Sequence, residues 1–259
     1  MYKGDAALKI LIITVAGMST RFSESLGYAC LKCLYYQNSI EESLLYKILH
    51  HNVKFDYYVV VGGFMFEELS SVIAKYFQEF EDKIFLIQNT HYQDYASGYS
   101  LYLGLEQVQG MDFDEIVFAE GDLYVDEESF QRIYNIPNNV ITCNQEPIFA
   151  NKAVAFYLDR NDGIHYIYDT NHHALEIKEP FIGILNSGQV WKFTDPERLR
   201  QAITDVTKQE WQGTNLALIQ KYFGGIRKKD YEVVTFREWV NCNTISDYEK
   251  IKELSKNNS

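Results

Sequence analysis

Apolar positions along the chain fall into two alternating periods. Short β-branched and aliphatic runs at 9–14, 57–61, 84–88, 116–119, 140–142, 153–158 and 164–168 read as strands. Apolar residues at helical spacing over 39–51, 66–80, 100–108, 127–134, 196–206, 215–222 and 246–255 read as amphipathic helices. Strands separated by helical spans of this length predict βαβ units and an α/β fold with a doubly wound, mostly parallel sheet. Their Val- and Ile-rich composition is that of strands covered on both faces. Up to residue 124 the alternation is regular. From 125 to 237 it gives way to short strands, one or two helices and turn signals at Asn161-Asp162-Gly163 and Asn186-Ser187-Gly188. The expectation is one domain with a core over 1–124, a smaller lobe over 125–237 laid on the sheet edge, and a closing segment with a helix over 238–259.

In a parallel sheet ligands bind at the carboxyl ends of the strands. That rule gathers the loop after the first strand, the segment 89–99 and Gly121-Asp122 around one crevice. The first of these loops, Ala16-Gly17-Met18-Ser19-Thr20-Arg21-Phe22, is followed by Lys32. Small residues at 16 and 17 let main-chain N–H groups approach an anion, while Arg21 and Lys32 supply a fork and a mobile point charge. This is the equipment of a polyphosphate site, although each part alone also serves as an ordinary turn or a solvated cation.

Composition narrows the partners. The 259 residues are 46% hydrophobic and 23% charged, enough for a sizeable core. A net charge of −12 opposes sequence-independent binding to nucleic acid, so an anionic small ligand needs the few cations to converge on one site. No apolar run reaches the roughly 18 residues of a membrane span. The opening strand is too short for a secretory signal, so a cytoplasmic location is expected. Four cysteines, Cys30, Cys33, Cys143 and Cys242, make no disulfide framework. Cys30 and Cys33 have knuckle spacing but lack two further ligands, and the neighbouring lysine suggests oxidation-sensitive thiols.

Asp122, at the end of the strand Ile116-Val117-Phe118-Ala119-Glu120, is placed to hold a magnesium ion or to cap a turn. Near the end, Glu238-Trp239-Val240-Asn241-Cys242-Asn243-Thr244 precedes a helix. Asn241 and Asn243 face one side of an extended segment and could meet the same metal, while Thr244 or Ser246 with Asp247 is suited to cap the helix.

Together these residues resemble the nucleotidyltransferases of the glycosyltransferase-A-like fold, which join an NTP to a phosphorylated small molecule and release pyrophosphate. The first and last motifs carry the likeness most specifically, and Tyr58-Val59-Val60-Val61-Gly62-Gly63-Phe64 resembles the family's second strand and turn. Gly98-Tyr99-Ser100-Leu101-Tyr102 and Phe236-Arg237-Glu238-Trp239 look most like the choline-phosphate cytidylyltransferase branch. The resemblance implies a three-layer α/β/α fold of nucleotide-diphospho-sugar transferase type with a smaller acceptor-binding lobe. It also implies magnesium on Asp122, Asn241 and Asn243, with Arg21 and Lys32 on the triphosphate. Ala16, Gly17, Met18, Ser19, Gly98 and Ser100 would surround the nucleotide with Gln88 close by, and CTP is the favoured NTP. Lys178, in Ile177-Lys178-Glu179-Pro180, looks like the lysine that holds the acceptor phosphate. Tyr124, Tyr157 and Trp191, with Trp211, would offer aromatic faces to a quaternary ammonium such as that of phosphocholine. A sugar 1-phosphate would instead draw on Asn144, Gln145, Asn151 and Asn186. Three positions depart from the family: Leu31 stands where a proline is usual, Ser19 where a second glycine is common, and Asn241 and Asn243 where carboxylates are frequent. Those asparagines leave open a non-catalytic nucleotide-binding relative. A nucleotide-sugar glycosyltransferase is disfavoured because Gly121-Asp122-Leu123-Tyr124 lacks an Asp-x-Asp pair.

Overall fold

A computed structural model describes residues 8–149, 154–167 and 176–257. The opening apolar run forms β1 (Leu8–Val15), whose alternate residues divide between two cores. Ile10 and Ile12 enter one core and Leu11 and Ile13 the other, as the period of two in a strand covered on both faces requires. After β1 come α1 (Thr20–Leu26), α2 (Leu44–His51), β2 (Tyr57–Gly62), α3 (Phe66–Tyr76), β3 (Ile84–Gln88), α4 (Ser97–Val108), β4 (Phe113–Glu120), β5 (Leu123–Val125) and α5 (Glu127–Asn135). The chain continues through β6 (Asn139–Asn144), β7 (Ala155–Asp159), β8 (Ile164–Ile167), β9 (Phe181–Phe193), α6 (Pro196–Asp205), α7 (Lys208–Trp211), α8 (Leu216–Phe223), β10 (Tyr231–Thr235), β11 (Trp239–Asn241) and α9 (Ile245–Asn257).

The central sheet runs β3-β2-β1-β4-β9-β6-β10, and β9 alone is antiparallel to its neighbours β4 and β6. Leu101 and Leu105 of α4, Leu199 of α6 and Leu218 of α8 close one face with Ile10 and Ile12. Leu45 and Ile48 of α2, Leu69 of α3 and Phe130 of α5 close the other, which makes three layers. A third, smaller cluster of Phe22, Tyr124, Val240, Tyr248 and Ile251 holds α1 and α9 against the short β5–β11 ribbon. No helix among the described residues is long and apolar enough to cross a membrane.

The sheet runs unbroken across the expected boundary near 124, because β6, β9 and β10 all belong to it. β7 and β8 branch from it as a hairpin hung on β9. The Asn186-Ser187-Gly188 turn expected from sequence is instead interior to β9, a 13-residue strand. At that point the ladder shifts register: Ile141 faces Trp191 but Cys143 faces Ser187, so extra residues bulge from β9 opposite Thr142. Helix caps follow the sequence signals more closely. Asp126 accepts from Ser129 N–H at 2.9 Å at the start of α5, and Thr244 with Asp247 caps α9, Asp247 accepting from Thr244 N–H at 2.8 Å. Residues 153 and 168, the outer limits of two expected strands, and Asn151 lie outside the described residues.

Candidate active site

β1 lies between β2 and β4, all three parallel, and the sheet grows away from this point in both directions. Such a switch point opens a crevice at the strand ends. Gly121 makes the junction tight: its N–H donates to Thr14 O at 2.9 Å, and a Cβ there would lie 2.3 Å from Val15 Cγ1. Beyond it sits a cleft of ≈ 300 Å³ that includes Ala16, Gly17, Ser19, Lys32, Ser100 and Asp122 among its lining residues. Nothing lies within 4 Å of the direction a Gly17 Cβ would take, so the loop's backbone faces open space. Ser19 is left-handed, with φ 54°, and its Oγ accepts from the Lys32 N–H at 3.2 Å. Glycine adopts that backbone without strain.

Lys32 Nζ lies 2.7 Å from Asp122 Oδ2, with both side chains largely buried. The other carboxylate oxygen, Oδ1, is buried and accepts no hydrogen bond from any described residue. Glu120, two residues earlier, also lines the cleft and accepts from Asn215 Nδ2 at 2.6 Å. Burial first, and the Asp122 charge second, push the Glu120 carboxyl up to about 7, against Asn215 and Lys32. A carboxyl raised in the fold binds more protons folded than unfolded between its ordinary 4.5 and about 7. Stability therefore falls as pH rises through that window. Glu120→Gln, which keeps the acceptor for Asn215, is expected to melt above the parent protein at pH 8. The gap should close as pH falls towards 4.5. A pH-independent gap in thermal melting would contradict this account.

A larger cavity of ≈ 790 Å³ is lined in part by Arg21, Asn241 and Asn243. Arg21 Nη2 donates to Asn243 Oδ1 at 2.8 Å, and Cys242 N–H donates to Asp122 O at 2.8 Å, tying this segment to the first cleft. Asn241 Oδ1 is buried and, like Asp122 Oδ1, accepts from no described residue. Among the described residues no cluster of three or more His, Cys, Asp or Glu forms a metal cage. Two orphaned oxygens nevertheless fit magnesium, a hard cation that takes few protein ligands and fills its shell with phosphate and water oxygens.

Other expected site residues sit elsewhere. Met18 is 44% exposed and does not line the cleft. Gln88 points to solvent at the end of β3, while its neighbour Asn89 enters the cleft, donates to Ser100 Oγ at 2.9 Å and accepts from His91 N–H. Gly98 lies under the 211–214 loop: a Cβ there would meet the Trp211 and Gly213 carbonyls at 2.8 Å, so its place is explained by packing. Trp191 is a core residue, fully buried, stacked on Phe118 and donating to Tyr166 Oη at 2.6 Å, which overturns its expected role as an acceptor-binding face. Trp211 is also buried, against Tyr102. Tyr124 is 3% exposed within the third core cluster, on neither cavity's lining. Tyr157 stacks on His165 and donates to Glu179, and Lys178 is solvated beside Glu176; neither lines the two cavities. All four cysteines are free. Burial raises the Cys30 thiol to about 11 and outweighs the Lys32 charge at Cys33, so the expected activation of these thiols is absent. The residues that sequence reading missed are Asn89, Tyr92, Tyr95, Ser97 and Glu120. The strand-end rule puts the 89–99 loop at this cleft, but nothing in its composition singles out Asn89, Tyr92, Tyr95 or Ser97.

A family model described as "Domain of unknown function (DUF6564)" matches residues 28–255. No curated protein matches. Among solved structures, the inositol-1-phosphate CTP transferase from T. maritima is similar at 13% identity and TM-score 0.64, with 96% of each chain covered. The CTP:phosphocholine cytidylyltransferase from Streptococcus pneumoniae is similar at 16% identity and TM-score 0.61, covering 95% of this chain and 99% of that one. A nucleoside-diphosphate-sugar pyrophosphorylase from Vibrio cholerae RC9 follows at 18% identity and TM-score 0.60, with 94% and 99% covered. The fold is therefore that of the nucleotidyltransferases.

Proposed function

The chain belongs to the DUF6564 family, whose description assigns no chemistry, and we propose from its site that it is a nucleotidyltransferase. It joins an NTP to a phosphorylated small molecule and releases pyrophosphate. The observation that carries this reading is the Lys32–Asp122 pair at 2.7 Å, set beside the small-residue loop at the switch point of the sheet. The resemblance of the sequence, and two structural neighbours named for CTP, favour CTP as the nucleotide and a phosphocholine-like compound as acceptor.

In this reading an oxygen of the acceptor phosphate attacks the α-phosphorus of the NTP. The bond from that phosphorus to the bridging oxygen breaks, and pyrophosphate leaves with the electron pair. A phosphate monoester has a second pKa near 6 and is largely a dianion at neutral pH, so no general base is required. The protein's work is to hold two polyanions together and to balance the charge that moves onto the leaving group. Lys32 faces the triphosphate with a mobile ammonium. Arg21, expected on the triphosphate, is held by Asn243 on the lining of the larger cavity, and in this reading it meets the acceptor phosphate there. Asp122 Oδ1 and Asn241 Oδ1 would hold magnesium, which supplies positive charge to the nucleotide phosphates.

Calorimetric titration of CTP, UTP, ATP and GTP with and without magnesium tests the nucleotide half of the proposal. Binding of at least one nucleotide, tightened by magnesium, is expected. Asp122→Asn should weaken that magnesium-dependent binding about tenfold or more, the equivalent of roughly 1.4 kcal/mol. Absence of binding by every nucleotide would overturn the reading.

A further inference from the structure

The first cleft contains a carboxylate that its phosphate chemistry leaves unexplained. Glu120 ends β4 two residues before Asp122, is half-buried and lines the cleft. The Lys32 ammonium is paired with Asp122, so Glu120 brings a second negative charge into a site read as receiving a polyanion. Asn215 Nδ2 donates to Glu120 Oε1 at 2.6 Å. Oε2 has no partner among the described residues and, unlike Asp122 Oδ1, keeps accessible surface. The two oxygens of a carboxylate are equivalent acceptors, so whichever one meets Asn215, the other is left for the cleft. Asn215 itself is 2% exposed, and its backbone N–H donates to Ser97 Oγ at 3.2 Å. Ser97 lines the same cleft, and its O–H donates to no described residue. The loop that carries Asn215 is bolted to the start of α4: Ala96 N–H donates to Gln212 O and Gly98 N–H to Gly213 O, each at 2.9 Å. One buried asparagine thus holds an acceptor and a donor on the same stretch of cleft wall.

We propose that Glu120 and Ser97, held by Asn215, recognise the hydroxyls of a vicinal diol beside the reacting phosphates. The assignment rests on the transferase reading for what enters the cleft. A carboxylate repels a phosphate oxygen, so Glu120 Oε2 needs a hydrogen donor, while the Ser97 hydroxyl needs an acceptor. A diol is both at once. Two parts of the reactants carry that chemistry: the ribose 2′- and 3′-hydroxyls of the nucleotide, and the hydroxyls of a polyol phosphate used as acceptor. Either lies next to a phosphate, as Glu120 lies next to Asp122, whereas the base is the part of a nucleotide farthest from its phosphates. A hydrogen bond from a hydroxyl to a carboxylate is charge-assisted, and a ligand that covers the oxygen without donating to it leaves its desolvation uncompensated.

The test compares ligands that differ only in hydroxyls. The nucleotide arm is CTP against 2′-deoxyCTP and 3′-deoxyCTP. The acceptor arm is inositol 1-phosphate against cyclohexyl phosphate, in the presence of a non-hydrolysable CTP analogue. Calorimetric titration with magnesium at pH 8 gives each Kd. In at least one arm the member lacking hydroxyls is expected to bind about tenfold or more weakly, and that arm identifies the source of the diol. Glu120→Gln keeps an acceptor for Asn215 and turns an NH2 to the cleft, while Glu120→Met removes the cleft oxygen. Each should bring the ratio to within about threefold. Equal binding within both arms of the parent protein, or a ratio that survives in both folded variants, overturns the assignment. A Glu120→Gln protein with unmoved ratios overturns it equally when its defect is a raised magnesium requirement, the mark of a metal ligand, or a lost choice between CTP and UTP, the mark of a base contact. Pyrophosphate release separates the two claims. Hydroxyl-dependent binding through Glu120 without release from any pair contradicts the transferase reading and leaves the diol assignment standing. Release with ratios that ignore Glu120 keeps the transferase and overturns the assignment.

Discussion

Replacing Lys32 with alanine is expected to lower kcat/KM for pyrophosphate release by about 10²–10³-fold, the usual effect of removing one preorganised partner for developing charge. The side chain is placed for this work and not for stability. Its Nζ touches Asp122 at 2.7 Å at the cleft edge, and its main-chain N–H is held by Ser19 Oγ, so the loop keeps its shape when the ammonium is lost. Lys32→Ala should therefore melt close to the parent protein. Lys32→Arg is expected to recover only part of the rate, because a planar fork does not follow a moving phosphate as a compact ammonium does. Steady-state kinetics of the three proteins decide the point, and an alanine variant within about threefold of the parent would remove Lys32 from the mechanism.

The largest effect on stability is expected at Lys192, well inside the sheet. Its side chain is 0% exposed, and its Nζ donates to the carbonyls of Ile133, Tyr134 and Ile136 at 3.2, 3.1 and 2.6 Å, closing the end of α5. It also lies 2.8 Å from Glu115 Oε2, whose other oxygen is 2.7 Å from Lys9. One ammonium thus ties β9 to β4 and to α5. Lys192→Met fills the space of the stem but abandons three carbonyls and half the charge around Glu115. A cost of about 3–5 kcal/mol in unfolding free energy is expected by analogy with other broken buried pairs. Denaturant titration measures it, and a loss under about 1 kcal/mol would show that water or Lys9 takes over the ammonium's partners.

How much of this was legible in the sequence depended on whether the signal was local. β1 announced itself because both faces of Leu8–Val15 are covered, and the strand-end rule then put Lys32, Asp122 and the 89–99 loop around one crevice. In the end motif the cap was legible, Thr244 capping α9, whereas the turn of Asn243 to Arg21 was not. β9 was hidden by its own bulge: Asn186-Ser187-Gly188 has the composition of a turn, but its pairing with β6 and β7 and the clamp from Thr142 and Trp239 make it strand. Trp191 and Lys192 were hidden with it. Once β9 enters the centre of the sheet, an indole that looked available to a ligand becomes core, and Lys192 becomes a buried tie. The tie from Asn215 to Glu120 and Ser97 carries no sequence signal at all, since residues so far apart in the chain meet only in three dimensions.

Pyrophosphate release is the measurement closest to the central claim. The purified protein is mixed with magnesium and each of CTP, UTP, ATP, GTP and dTTP, against phosphoethanolamine, phosphocholine and a panel of sugar 1-phosphates. Release that requires both a nucleotide and a phosphorylated acceptor, and that disappears in Asp122→Asn, is the expected result. Failure of every pair to release pyrophosphate from a folded protein that binds nucleotide would contradict it and leave a nucleotide-binding relative without transferase chemistry.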